Sequence, residues 1–405
     1  MDRTLAAGLS LSAATIALLL SHLFLVPNPK TDLGSFTTSK ATNATAKAYI
    51  DAVYPLHTES QFIRLSAGET HFYLKGPVEG KRIVLVHGIT GTWAAAPEFL
   101  TLLTQKGFRI LVYDLYARGY SSSPGLQYSA TDYAMQVKDL LDHVGWETAS
   151  VLGYSLGGGI AVAFADLFSE RVDDLVLIAP AGLLKDLPVE AKIVLIPFFG
   201  TILAYAVGHA LLLKNISDSV DPQLQLDPRM KHMMQTATAN VKYNPGLLRG
   251  FLETLRNGPV RRMEQAYARV GDTLHDRVLC VWGTCDTVVE FEALSPVFRK
   301  LVPAGTLVEL KEATHNVVVE TPERVVEPMS MKGPIMQWKL LPSIDARWTQ
   351  QQHPACSLHQ HTNPSAPSPP LISTSSSGPA TNVIFKSLMT PNVGRAAISS
   401  NTRKK

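Results

Sequence analysis

Ser155 lies in Gly153-Tyr154-Ser155-Leu156-Gly157, followed by Gly158 and Gly159. Gly-x-Ser-x-Gly alone recurs by chance. Here an apolar run, Ala149–Tyr154, feeds it and a helical pattern over 156–168 leaves it. Flanking glycines permit a strained strand-to-helix turn that lifts the serine hydroxyl above a sheet. The same turn sets the hydroxyl at a helix N-terminus, where developing negative charge is stabilised. A hydroxyl is a poor nucleophile near neutral pH, so it needs a base, and the base needs an orienting acid.

Twelve histidines are available. His22, His209, His232, His353, His359 and His361 fall in an apolar N-terminal stretch, a helical insertion or a polar tail. His315, in Ala313-Thr314-His315-Asn316, comes soon after the last expected strand. It precedes Glu320-Thr321-Pro322-Glu323, which reads as a helix start with proline in its first turn. That places it at the same strand ends as Ser155. Asp286 reaches this rim through Gly283-Thr284-Cys285 after the run 278–282, and is the candidate acid. Asp114 also ends a strand, but it reads as a structural carboxylate holding the turn Asp114-Leu115-Tyr116-Ala117-Arg118-Gly119. After the run 82–86 comes His87-Gly88-Ile89-Thr90-Gly91. The backbone N–H groups of Ile89 and Leu156 would form a two-donor oxyanion hole, with His87 structural.

These residues need a scaffold that brings distant strand ends together. Runs rich in Val, Ile and Leu at 82–86, 109–114, Ala149–Tyr154, 175–179, 278–282 and Thr306–Leu310 fit parallel strands buried on both faces. Helical patterns at 94–105, 131–143 and 156–168 alternate with them, which predicts a doubly wound α/β sheet. An earlier pair, 61–65 and 71–74, reads as an antiparallel hairpin at the sheet edge. Residues 183–272 break the rhythm with helical pattern and no strand, far longer than an ordinary connection.

In this order and on these strand ends, the motifs resemble the α/β-hydrolase superfamily over about residues 60–327. The nearest branch in appearance is the capped hydrolases, including carbon–carbon bond hydrolases and monoacylglycerol-lipase-like membrane enzymes. The resemblance implies a mostly parallel central sheet flanked by helices, with residues 183–272 as a helical lid. It implies Ser155 as nucleophile, His315 as general base then acid, Asp286 as its orienter, and Ile89 and Leu156 as oxyanion donors. The order Ser155, Asp286, His315 is the order of that fold. Epoxide hydrolases and haloalkane dehalogenases share the fold but carry a carboxylate at the elbow, and serine at 155 argues against both. After Val326 the expected terminal helix gives way to Pro328-Met329-Ser330-Met331, a departure from the family pattern.

With 405 residues, 46 % hydrophobic and 18 % charged, the chain can bury a large core. A net charge of +3 gives no basis for nucleic-acid binding. Three cysteines exclude a disulfide-built scaffold and a cysteine-rich metal site, and no cofactor is expected. Residues 5–26 carry no charge and are long enough to cross a bilayer. They are read as a single-pass anchor in the endoplasmic reticulum or another endomembrane. The alternative is a cleaved signal and a secreted or lumenal protein. Asn43 and Asn215 are glycosylation acceptors only if their side is lumenal. Residues 193–213 are also uncharged, but a second span there would divide one sheet across the membrane. A greasy lid over an apolar acyl pocket is the reading.

The expected organisation is an anchor at 1–30, a linker at 31–59, core at 60–182, lid at 183–272, core at 273–330 and a low-complexity, disordered tail at 331–405. The activity expected is membrane-anchored hydrolysis of a small apolar or lipid-like carboxylic ester. The alternative is thioester or C–C cleavage of a specialised metabolite.

Overall fold

Strands of unbroken valine, isoleucine and leucine have no polar face for water, so both faces must be covered. The computed structural model describes residues 28, 30–186, 192–193, 195–196 and 198–329, and the backbone of 331–332 and 335–336. Residues 1–27 and 29 of the region expected as an anchor, and the tail beyond 336, lie outside the described residues.

Eight strands form one sheet: β1 (Gln61–Arg64), β2 (Glu69–Lys75), β3 (Lys81–Val86), β4 (Phe108–Tyr113), β5 (Ala149–Tyr154), β6 (Val172–Ile178), β7 (Val278–Gly283) and β8 (Thr306–Leu310). Their spatial order is β1-β2-β4-β3-β5-β6-β7-β8. β3 to β8 are mutually parallel, and the β1–β2 hairpin adds antiparallel to β4. The chain moves from β3 to one side and then returns to place β5 on the other. In open α/β sheets ligands bind beyond the strand C-terminal ends at such a reversal. Val86 pairs with Gly153, so the segments after β3 and β5 leave the sheet at the same level.

Two apolar clusters cover the two faces. One holds Val84, Val151, Leu177 and Trp282, and the other Ile83, Leu85, Leu152 and Val281. They alternate along each strand, as period-two geometry requires. Helices α3 (Pro97–Gln105), α4 (Ala130–His143) and α5 (Leu156–Leu167) connect the strands. Two boundaries differ from the sequence reading. β6 begins at Val172 because Asp174, a polar interruption of the apolar run, is buried and paired with Lys81. The first helical segment splits into a short turn, Trp93–Ala95, and α3, since Pro97 disfavours helix at Ala96.

The stretch expected as a linker is folded. Helices α1 (Phe36–Thr42) and α2 (Ala44–Val53) bury Phe36, Ala46, Ile50 and Val53 with Tyr54 against Tyr120 and Ala239. Ala46, Ile50 and Val53 share one face at helical spacing, a short signal that polar neighbours obscure. The insertion is also shorter than expected. It carries α6 (Phe199–Asp218), α7 (Pro228–Tyr243) and α8 (Leu247–Asn257), and a backbone bridge between Leu184 and Arg261 closes its base. The next helix, α9 (Glu264–Leu274), packs on α5 and on α10 (Phe291–Leu301). It therefore belongs to the core. Two short helices, α11 (Val317–Glu320) and α12 (Pro322–Val326), end the main fold.

Within the cap, α6 buries Gly200, Ala204, Gly208, Leu212 and Ile216, one residue in every four. Its small residues admit close neighbours: a Cβ on Gly208 would lie 2.8 Å from Leu248. Phe199 and Val207 are exposed. Among the described residues α6 is the one helix long and apolar enough to cross a membrane, yet it packs on α7 and α8.

If α1 and α2 are part of the fold, Ile50→Ala should lower the unfolding free energy by about 2–5 kcal/mol in urea titration. A linker residue would leave the midpoint unmoved.

Candidate active site

A serine joined to strand β5 on one side and helix α5 on the other must turn sharply. Ser155 does so at φ 56° and ψ −119°, a conformation costing of order 1–3 kcal/mol for a non-glycine residue. Its N–H donates to the Ile178 carbonyl (3.0 Å), and its own carbonyl accepts from Gly158 and Ala181 N–H (2.9 Å each). The turn also needs bare backbone beside it: a Cβ on Gly157 would lie 2.0 Å from the Val86 carbonyl oxygen.

The segment after β8 brings His315 over this turn. Its Nε2 lies 3.0 Å from Ser155 Oγ, and its Nδ1 lies 2.8 Å from Asp286 Oδ2. Asp286 is buried and collects further donors. The Val288 and Val289 N–H groups reach Oδ1 (2.9 Å each), and the Trp282 indole N–H reaches Oδ2 (3.1 Å). Donors converging this way suit a carboxylate anion. With Asp286 accepting from Nδ1–H, the imidazole presents its Nε2 lone pair to the serine hydroxyl. Such a chain can take up the hydroxyl proton and later return it to a leaving group.

Asp114 is held elsewhere. It is buried in a separate network that accepts from the Tyr54 hydroxyl (2.9 Å) and the Tyr120 N–H (2.9 Å) and meets His71 Nδ1 at 3.0 Å. His71 Nε2 in turn meets Ser60 Oγ at 2.9 Å.

The segment after β3 passes over the serine, since a Cβ on Gly88 would lie 3.5 Å from Ser155 Cβ. His87 is buried beneath it. Its Nε2 accepts from the Leu115 N–H (2.9 Å), which leaves Nδ1–H to donate to the Gly88 carbonyl (2.8 Å). In a trans peptide the C=O and N–H point oppositely. Holding the Gly88 carbonyl thus aims the Ile89 N–H away from His87. The Ile89 N–H meets no acceptor among the described residues, and Leu156, as the first residue of α5, has none within its helix. Ile89 itself packs against the cap's inner cluster, which includes Leu212, Ile216, Leu248 and Phe251.

Two positioning contacts escaped the sequence reading. The Tyr154 hydroxyl donates to the His315 carbonyl (3.2 Å), and burial beside Asp286 and Glu320 holds that phenol well above its ordinary pKa. Glu320 accepts from the N–H (2.9 Å) and the hydroxyl of Thr314, the residue before His315. Tyr154 was visible as the variable position of the serine motif, and Glu320 only as part of a helix start. Of the two asparagines in glycosylation tripeptides, Asn43 is exposed and caps α2 through the Ala46 N–H (3.0 Å). Asn215 is half-buried within α6.

Burial pushes the His87 imidazole down to about 4. Its unfolded counterpart titrates near 6.5, so the unfolded chain takes up a proton first as pH falls. Stability contributed by neutral His87 should be full above pH 6.5 and fall by about 3 kcal/mol towards pH 4. Urea titrations across that range should show this loss in the parent chain and its absence in His87→Asn.

A family model described as the alpha/beta hydrolase fold matches residues 81–322. An uncharacterized protein of Mycobacterium tuberculosis is 34% identical over 121 residues, covering 29% of this chain and 34% of that one. The chain thus spans about a third of the length of that relative. Carboxylesterase YbfK of Bacillus subtilis is 30% identical over 132 residues, 32% of this chain and 44% of the enzyme. Its crystal structure superposes with a TM-score of 0.56 at 22% identity, covering 72% of this chain and 96% of that one. A 2-hydroxy-6-oxononadienedioate/2-hydroxy-6-oxononatrienedioate hydrolase of Comamonas testosteroni is 26% identical over 250 residues, 58% of this chain and 82% of the enzyme. On the strength of the match over residues 81–322, which carries the strand order and rim geometry described above, the chain belongs to the α/β-hydrolase family.

Proposed function

We propose that the protein is a serine hydrolase that cleaves carboxylic esters of apolar, lipid-like compounds through an acyl-enzyme on Ser155. The observation that carries this reading is the continuous chain from Ser155 Oγ through His315 to buried Asp286. Ser155 Oγ attacks the acyl carbon while its proton passes to His315 Nε2. Negative charge moves to the substrate oxygen, where the Ile89 and Leu156 N–H groups receive it. His315 then protonates the leaving alcohol, and the alkoxy C–O bond breaks. Water, deprotonated by His315, attacks the acyl-enzyme and releases the acid.

An apolar substrate is supported by what lies beside the oxyanion segment. The cap's inner cluster offers Leu212, Leu248 and Phe251 next to Ile89. Membrane anchoring is supported by the uncharged residues 5–26 and by the exposed apolar side chains Phe199 and Val207 of α6. Glycosylation at Asn43 or Asn215 would follow from a lumenal orientation.

A second reading, C–C bond hydrolysis on the same three residues, is favoured by the likeness to the Comamonas enzyme over most of its length. Rapid turnover of simple esters supports the first reading. Turnover confined to a 1,3-diketone-like substrate supports the second.

Ser155→Ala should lower kcat on a short-chain p-nitrophenyl ester by roughly 10⁶-fold, with His315→Ala close behind. Asp286→Asn should be milder, roughly 10⁴-fold. If folded Asp114→Asn lost more activity than Asp286→Asn, the acid would be misassigned.

Removal of residues 1–27 should release the protein from carbonate-washed membranes and leave turnover of a water-soluble ester within about twofold. Retention in carbonate-washed membranes would make α6 the integral segment and overturn its reading as a lid.

A further inference from the structure

Arg118, in the segment after β4, is fully buried. Its Nε–H donates to the Ile89 carbonyl (3.0 Å). Its Nη1 donates to the Tyr116 carbonyl (3.0 Å) and the Tyr133 hydroxyl (2.9 Å), and its Nη2 to Thr254 Oγ1 (3.4 Å). Tyr133 stands on α4 of the core and Thr254 on α8 of the cap. One side chain therefore ties core, cap and oxyanion segment together. The cap is seated tightly on it, for a Cβ on Gly250 of α8 would lie 3.0 Å from Nη1.

Among the described residues no carboxylate forms an ion pair with this guanidinium. Burying an unpaired cation is costly, and an apolar side chain of similar volume would serve packing better. What the guanidinium supplies beyond packing is a rigid planar array of donors and a permanent charge in dry surroundings.

Both act on Ile89. His87 holds the Gly88 carbonyl, the far end of the peptide whose N–H belongs to Ile89. Arg118 holds the next carbonyl, that of Ile89 itself. Residue 89 is thus fixed from both sides while its segment crosses above Ser155. Resting on the serine-hydrolase reading, we propose that Arg118 is a positioning residue for the oxyanion site. It locks the direction of the Ile89 N–H and adds positive potential where charge develops on the substrate oxygen.

The test compares the full chain with R118M, R118K and S155A. It measures kcat and KM on a short-chain p-nitrophenyl ester, inhibition by an aryl trifluoromethyl ketone, and folding by circular dichroism. The ketone forms a charged tetrahedral adduct with an active serine and so reports on the oxyanion site. R118M should lose roughly 100-fold in kcat, as for removal of an oxyanion donor, with KM within about twofold and the ketone weakened in parallel. A purely structural arginine would lower the melting temperature and leave kcat per folded molecule and ketone affinity unchanged, and that result overturns the proposal. Should R118M not fold, R118K decides. Lysine keeps the charge but not the planar fork, so kcat roughly tenfold down at unchanged KM supports the proposal, and parental kcat contradicts it. S155A separates the two levels: turnover in S155A removes the serine reading, whereas inactive S155A beside fully active arginine variants removes only the role of Arg118.

Discussion

The site depends on one residue held where its type is disfavoured. Ser155 sits at φ 56°, and nothing local to a serine stabilises that conformation. The surrounding sheet does. The Ile178 carbonyl fixes its N–H, the Gly158 and Ala181 N–H groups fix its carbonyl, and bare backbone at Gly157 lets α5 start against β3. Ile178 ends β6, Ala181 lies just beyond it and Gly158 is in the first turn of α5, so the elbow is held by the β5–β6 pair and the helix that follows it. The free energy stored in the turn is offset by burial of the strands' valines, isoleucines and leucines on both faces.

Around that turn, neighbouring strand ends each deliver one component, and each component is itself held. Asp286 arrives after β7 and is fixed by Trp282 and two backbone donors. His315 arrives after β8 and is steadied by Tyr154 and, through Thr314, by Glu320. The segment after β4 has a different task. Gly119 receives the Phe36 N–H and the Asn244 side chain on its carbonyl and donates to Asn240. Asp114 holds Tyr54, at the end of α2. Core, cap and N-terminal helices therefore meet at residues 114–124, and Arg118 extends that junction to the Ile89 carbonyl after β3.

The residues proposed as nucleophile, base and acid, Ser155, His315 and Asp286, could be picked out because strand–turn patterns are local: a glycine-flanked serine between an apolar run and a helix, and polar residues just past other apolar runs. The mostly parallel sheet followed from alternation of strand and helix. What was illegible depends on distant contacts. Helices α1 and α2 are short, and their apolar faces have meaning only against Tyr120 and Ala239. The cap's end was placed too late because α9 is amphipathic like the cap helices, and only packing on α5 and α10 assigns it to the core. Arg118 and Glu320 carry no sequence signature, since their partners are backbone carbonyls or side chains in turns that sequence pattern does not pair.

The proposed chemistry passes through an ester on Ser155. Rapid acid quenching during turnover of a slowly deacylated ester, followed by peptide mass mapping, tests it directly. A stoichiometric acyl adduct is expected on the peptide bearing Ser155, formed in the parent chain and lost in His315→Ala. An adduct on another residue, or steady turnover with no adduct at any time point, would contradict it.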